Sequence, residues 1–296
     1  MNRSSRIKKS IGEHVFDTFN VVLMILLCLT TIYPFLYLLS LSLSSGNISL
    51  TKIHLFPPEF SLANYESVLS YGYIKTGFMN SIMRVVLGTA LELFFCLLTA
   101  YPLAKKYLPL RNSWTGIIVF TMFFSGGLIP SYILMRELHL MNSIWALVLP
   151  NLIPAFSMIL IRNYIMSLPD SIEESAKIDG AGEFTILYKI IAPMVTPILA
   201  TVALWSIVGH WNAWFDSLLY STSPEKQVLQ VVMRNIIQQG DVTLEAGATS
   251  TVLSGSVNPT TIKAATIMIT SLPVIAIYPF LQKYFVKGIM VGSLKG

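Results

Sequence analysis

The chain has 296 residues, of which 54% are hydrophobic and only 12% charged. Soluble domains carry about 25% charged residues, so this composition excludes a soluble globular protein. The formal charge of +5 accompanies long apolar blocks, where excess Lys and Arg set membrane topology rather than contact nucleic acid.

Residues 1–14 form a basic leader with Arg3, Arg6, Lys8 and Lys9. The first apolar block, about 15–43, is followed by Ser40, Ser42 and Ser44, which gives it the look of a signal peptide. It is too long for a signal-peptide apolar region and reads as a retained first span. Cys28 and Cys96 both lie inside apolar blocks. Neither has metal-site spacing or a disulfide framework around it, so packing is their expected role. A polar segment, 44–76, carries Pro57-Pro58.

About 20 apolar residues cross a bilayer core, and five further blocks meet that length: about 78–104, 114–134, 143–166, 194–220 and 262–286. The third contains Gly126-Gly127 and Pro130, the fourth Pro150 and Pro154, the sixth Pro273 and Pro279. Prolines in membrane helices suit either simple kinks or bends around a cavity. The segment 221–261 holds an amphipathic stretch, Val228 to Ile237, and then a Gly/Ser/Thr-rich run. Connections of such length are functional or disordered more often than not.

Lys and Arg concentrate on one set of loops. These hold Lys105, Lys106, Arg111, Arg162, Lys177, Lys189, Lys283, Lys287 and Lys295 as well as the N-terminal four. The bias predicts both termini inside, in keeping with an even number of spans. The expected organisation is one transmembrane domain over 15–288 with cytoplasmic ends 1–14 and 289–296.

The most informative segment is the loop 167–197, between the fourth and fifth blocks. Leu168-Pro169 stops the fourth span. Asp170 and Glu173 stand in capping-box register for a new helix, and Gly180 and Gly182 end it. A second short helix is expected from Glu183 to about Ile191, with Pro193 at the turn back to the membrane. The product is a stiff helical knob. Small Ala176, Gly180 and Ala181 allow close approach of a partner, and Glu174 and Asp179 supply orienting charges. A helical hairpin lying on the membrane surface is the alternative.

The run Glu174-Ser175-Ala176-Lys177-Ile178-Asp179-Gly180-Ala181, followed by Ile190-Ile191-Ala192-Pro193 and Pro197, resembles the EAA loop of bacterial ABC importer permeases. That pattern reads E-A-A-x-x-D-G-A, then I-x-L-P-x-x-x-P. Ser175 and Ala192 are the two departures, both to small residues. Asn64-Tyr65, Asn80-Ser81, Ala100-Tyr101-Pro102-Leu103-Ala104 and Trp211-Asn212-Ala213-Trp214-Phe215-Asp216 are similar to the MalG-like carbohydrate branch. Residues 214–220 and 287–296 are similar to its LplC/YtcP-like group, which is associated with complex and acidic oligosaccharides.

The resemblance implies an all-α, six-span type I (MetI-like) importer fold in the bacterial cell membrane, surrounded by membrane lipid. It implies a heterodimer with a sister permease, two cytoplasmic ABC ATPase subunits, and an extracellular solute-binding protein delivering an oligosaccharide. No cofactor is expected on this chain; ATP and Mg would be bound, and ATP hydrolysed, by the partner ATPase. The absence of a G-x-x-x-x-G-K-[ST] run agrees. ATPase docking would involve Glu174, Ser175, Ala176, Asp179, Gly180, Ala181 and Pro193, with Glu174 paired to a basic residue of the ATPase.

Polar groups inside spans default to functional hypotheses. His210, Asn212 and Asp216 with Trp205 and Trp211 in the fifth block, and Asn151 in the fourth, are candidates for lining the pathway. Aromatic faces beside hydrogen-bonding groups suit a sugar ring, although Trp near a span end also serves as an interface anchor. Arg84 and Glu92 in the second block would face a wet interior or pair with neighbouring helices. An ion-coupled secondary transporter would show internal repeats, and none is evident. A membrane enzyme would cluster its four histidines, which are scattered.

Overall fold

The computed structural model describes residues 10–45, 55–238 and 258–293, with side chains up to Ala276. Residues 1–9 of the basic leader, 46–54 of the polar segment, the Gly/Ser/Thr-rich run 239–257 and Lys295 lie outside the described residues, as does the last part of the expected 289–296 tail. The described chain is helical, and its one extended pairing is an isolated bridge between Ser44 and Phe60.

Two compact units partition the chain, 1–70 with 240–268 and 71–239 with 269–296. In the first unit α1 runs Ile11–Ser42. It begins earlier than the apolar block because Ser10 and Glu13 form a capping box, with Ser10 N donating to Glu13 Oε2 at 2.8 Å. None of its most apolar stretch is buried, which suits a helix that meets lipid or another protein chain. After α1 the short α2, Ala63–Ser70, is anchored by Asn64. Its buried amide donates to Ser42 O and Ser44 O at 3.0 and 2.7 Å, and its Oδ1 accepts from Thr261 at 2.8 Å.

The second unit is organised around α3, Ile74–Ala104. Against it pack α7, Ala155–Met166, and α11, Thr196–Asn212. The remaining elements are α4 (Arg111–Phe123), α5 (Leu128–Glu137), α6 (Ile144–Val148), α8 (Asp170–Ile178), α9 (Glu183–Thr185), α10 (Ala192–Met194), α12 (Phe215–Tyr220), α13 (Leu229–Gln238) and α14 (Pro259–Ser293), whose residues up to Met268 belong to the first unit. A π-helical stretch, Ile186–Ile191, joins α9 to α10.

Three helices are long and apolar enough to cross a membrane unaided: α1, α3 and the stretch Pro259–Ala276 of α14. Of the other three predicted blocks, the third and fourth are broken, and a bend at the predicted Pro193 turn precedes the fifth. Arg111–Phe123 and Leu128–Glu137 meet at 108°, Ile144–Asn151 and Ala155–Met166 at 49°, and Glu183–Met194 and Thr196–Asn212 at 78°. The first break is made by Gly126-Gly127, where Gly127 sits at φ +89°, a left-handed conformation that favours glycine. Pro154, the N-cap of α7, follows the second. The expected fifth block ends early: α11 stops at Asn212, and α12 begins only at Phe215.

An apolar cluster at the C-terminal end of α3 gathers Leu97, Ala100, Leu103, Met158, Ile161, Ile165, Ile186 and Ile191 around the α7–α8 loop. At the other end, α13 lies against the first turns of α3. A Cβ on Gly77 would stand 3.1 Å from Val232 and 3.2 Å from the backbone of Leu229, so glycine is what permits that approach. Ser81 Oγ caps the contact by accepting from Leu229 N at 2.9 Å. At about 1.5 Å per residue, Gly77 and Tyr101 are separated by ~36 Å along the helix, more than the ~30 Å of a hydrocarbon core.

Candidate coupling loop and span residues

Helix α8 follows Leu168-Pro169 as expected, but its N-terminus differs from the predicted capping box. Pro169 is the N-cap, and no side chain caps the helix. The two carboxylates are engaged elsewhere: Glu173 pairs with Lys105 and Asp170 with Lys106 at 2.8 Å. Both lysines follow directly on the last turn of α3. A charge-assisted bond outcompetes a neutral backbone donor, and the macrodipole still benefits from acids in the first turn.

A second set of contacts centres on Glu183. It accepts from Tyr101 Oη at 2.7 Å and Tyr107 Oη at 3.3 Å, and pairs with Lys177 at 2.8 Å. Lys105 lies over the Tyr101 ring at 4.2 Å, and Lys177 over the Tyr107 ring at 5.0 Å. Glu183 hydrogen bonding holds Lys177 above the ordinary lysine range. The Lys106 hydrogen bond holds Asp170 below the ordinary carboxylate range.

The end of α8 explains its small residues. Ala181 N donates to Ala176 O at 2.9 Å and Gly180 N to Lys177 O at 3.0 Å. This is the paired-bond pattern of a glycine-capped helix end, with Gly180 at φ +79°. Ala176 is buried in the chain's own apolar cluster, and Ala181 packs against it. The small size of both therefore serves internal packing. The outward surface consists of Glu174, Ser175, Asp179, Gly180 and Ile178, which is 86% exposed. Phe184, 71% exposed, adds a second apolar side chain, and Pro193 is exposed at the start of α10.

Ile178 and Phe184 were not singled out from sequence. Ile178 could have been: Ile172 and Ala176 stand four apart on the inner face of the helix, and Ile178 falls on the opposite one.

The six candidate pathway residues divide. Asn151, Trp205 and Asn212 are exposed, and Trp205 meets Phe156 at 5.8 Å. The other three are engaged inside the chain. His210 is buried against Gly88, where a Cβ would lie 2.7 Å from two ring carbons. Trp211 is buried, donates from Nε1 to Thr270 O at 3.3 Å and meets Phe78 edge-on at 6.0 Å. Asp216 holds Arg84 in a two-pronged pair, Nη1 to Oδ1 at 3.0 Å and Nη2 to Oδ2, while Nη1 also donates to Ala213 O at 3.1 Å. Glu92 accepts from Ser157 at 3.0 Å. Arg84 and Glu92 are thus both paired with neighbouring helices.

A cavity of about 250 Å³ beside Trp211 is lined by Phe78, Ile82, Val86, Leu204 and Val208 among others. Its lining is apolar, whereas a sugar needs hydrogen-bonding groups around its rim. A second hollow, about 270 Å³ and lined by charged as well as apolar side chains, lies between the end of α3 and α8.

Long apolar helices and bent apolar helix pairs, with a glycine-capped helix beside them, are the architecture of a multi-pass membrane protein. Residues 113–291 match the family described as binding-protein-dependent transport system inner membrane component, and the chain belongs to that family. Its members are transport components rather than catalytic subunits. The chain is 40% identical over 284 residues to Protein LplC of Bacillus subtilis (strain 168), covering 95% of each. It is 37% identical over 291 residues to the polygalacturonan/rhamnogalacturonan transport system permease protein YtcP of the same organism, covering 96% of this chain and 99% of that one. Among solved structures, a chain of a bacterial ABC transporter involved in the import of the acidic polysaccharide alginate superposes with TM-score 0.86 and 33% identity, over 94% of this chain and 99% of that chain.

Proposed function

We propose that this chain is one half of the translocation pathway of an ATP-driven, binding-protein-dependent oligosaccharide importer in the bacterial cell membrane. It crosses the membrane six times with both termini cytoplasmic. It pairs with a sister permease, receives substrate from an extracellular solute-binding protein, and docks a cytoplasmic ATPase on α8. ATP and Mg belong to that ATPase, which performs the hydrolysis. The likeness to YtcP and to the alginate importer supports a saccharide substrate, and the family description supports a binding protein.

One observation carries the docking assignment. Helix α8 is held on the end of α3 by Lys105–Glu173 and through Glu183, yet it turns Glu174, Ser175, Ile178 and Asp179 outward. A rigid helix with an exposed isoleucine and flanking charges transmits a push and gives a partner an anchor. Ala176 and Ala181 shape the knob from inside, and Pro193 sets the return to the membrane.

Co-purification tests this reading. With the transporter's own ATPase co-expressed, Ile178→Asp and Glu174→Lys are expected to lose most of the bound ATPase, while the variant permeases still assemble with the sister subunit. Undiminished ATPase in both variants overturns the docking assignment. An ion-coupled secondary transporter would bring down no ATPase even as wild type.

A further inference from the structure

The ring of Trp214 occupies an unusual place. It lies in the two-residue break between α11 and α12, where the buried Arg84 guanidinium donates to Ala213 O, on the backbone just before it, and pairs with the Asp216 carboxylate two residues after it. The Trp214 ring is 37% exposed. Arg234 of α13 rests on it, with the guanidinium carbon 4.4 Å from the ring centre.

Asp216 is already taken by Arg84. Among the described residues, Arg234 has no ion pair with a carboxylate, and its contact is the aromatic face. Gln230 and Gln238 stand four residues to either side of it, on the same stripe of α13; Leu229, Val232, Met233 and Ile236 are buried on the opposite side, and Val231 is buried next to Gln238 on this one. Helix α13 sits at the end of α3 remote from the coupling loop, which is the extracellular end in the proposed topology.

We propose that Arg234, stacked on Trp214, is a specificity-determining contact for the carboxylate of an acidic sugar entering the pathway from outside. A guanidinium presents two parallel donors to a carboxylate. Stacking on Trp leaves those edge donors free and orders the side chain in advance. The flanking glutamine amides offer both donors and acceptors to sugar hydroxyls. The inference rests on the importer reading above and deepens it by assigning a residue of this chain to recognition of the substrate's charge.

The test uses the complete transporter, with its sister permease, ATPase and binding protein, reconstituted in lipid vesicles. Uptake of a uronate trisaccharide is compared with that of its carboxyl-reduced, neutral counterpart, and the readout is the acid-to-neutral ratio. Arg234→Gln is expected to lower that ratio roughly tenfold, the scale of one charge-assisted bond. Arg234→Lys keeps the charge but loses the fork and the stack, and is expected to fall between the two. It also keeps the test decisive if the glutamine variant assembles poorly.

Equal loss of both sugars in the variants would mark Arg234 as a packing or binding-protein contact and overturn the proposal. An unmoved ratio would do the same and leave Trp214 as a membrane-interface anchor. A wild-type transporter that carries only the neutral sugar overturns the specificity assignment while the importer reading stands. Uptake of neither sugar, with ATPase still bound, removes the oligosaccharide reading itself.

Discussion

Gly88 is a position where one methyl group decides the packing. The His210 ring fills the space a Cβ would need, in a contact where α3 and α11 press together. Gly88→Ala must displace a buried ring between two helices, and overpacking of that kind costs about 1–3 kcal/mol. A lower melting temperature of the purified protein is the expected outcome, with Gly116→Ala, where a Cβ meets nothing within 4 Å, as the silent control. Arg84 and Asp216 are a second such place. The Arg84 side chain is 3% exposed and that of Asp216 31%, so removing the carboxylate strands a buried cation. Asp216→Asn is expected to cost near the low end of the about 3–5 kcal/mol typical of a broken buried pair, because Asp216 retains some water. The double variant Arg84→Leu/Asp216→Leu should melt above Asp216→Asn, since it leaves no charge behind.

Helix α8 and the end of α3 behave as one piece because of the pairs between them. Lys105–Glu173 is the buried member, with side chains 10% and 16% exposed. Reversing one charge puts two like charges in that site, so Lys105→Glu and Glu173→Lys should each uncouple ATP hydrolysis from transport. The exchange of both should recover a large part of the coupling, measured as solute carried per ATP. The exposed pairs matter less and set no pH switch in the working range. Lys177, raised by Glu183, loses its contribution only as pH climbs through that raised value; Asp170, lowered by Lys106, loses its own only as pH falls through the lowered one. ATPase retention on α8 is therefore expected to be flat between about pH 5.5 and 8.5.

How far these elements could be read beforehand follows from what encodes them. α1, α3 and the start of α14 were legible because apolar length alone specifies a span. The α8 knob was legible because its glycine stop and small residues recur at fixed spacing. The breaks in the third and fourth blocks, and the angle of the predicted turn before the fifth, were visible only as Gly126-Gly127, Pro154 and Pro193, residues that permit a bend without fixing its angle. The partners of Arg84 and Glu92 were not legible at all. Asp216 lies 132 residues from Arg84 and Ser157 lies 65 from Glu92, and no local periodicity reports a pairing across such distances. Asp170 misled because the lysines that claim it and Glu173 belong to the other end of a different helix.

Within the larger unit, α3 works as a column. One end carries α13 through Gly77 and Ser81, and the turn before it through Asn80, which donates to Glu225 O and Gln227 O; the other carries α8 through Tyr101 and Lys105. The ~36 Å between those ends exceeds the bilayer core, and the proposed topology accordingly puts the two helices on opposite sides of the membrane. That geometry can be checked with single cysteines. Cys28 is replaced by Ser and Cys96 by Ala, then one thiol is placed at exposed Ser175 on α8 or at exposed Gln238 on α13. A membrane-impermeant maleimide is expected to label Ser175→Cys only in inside-out vesicles and Gln238→Cys only in right-side-out ones. Labelling of both from the same face would remove the column. Labelling from the two faces in the reverse sense would keep the column and invert the topology, placing α8 where no cytoplasmic ATPase can reach it. Co-expression of the ATPase adds the last distinction: a motor seated on α8 should protect Ser175→Cys and leave Gln238→Cys as reactive as before.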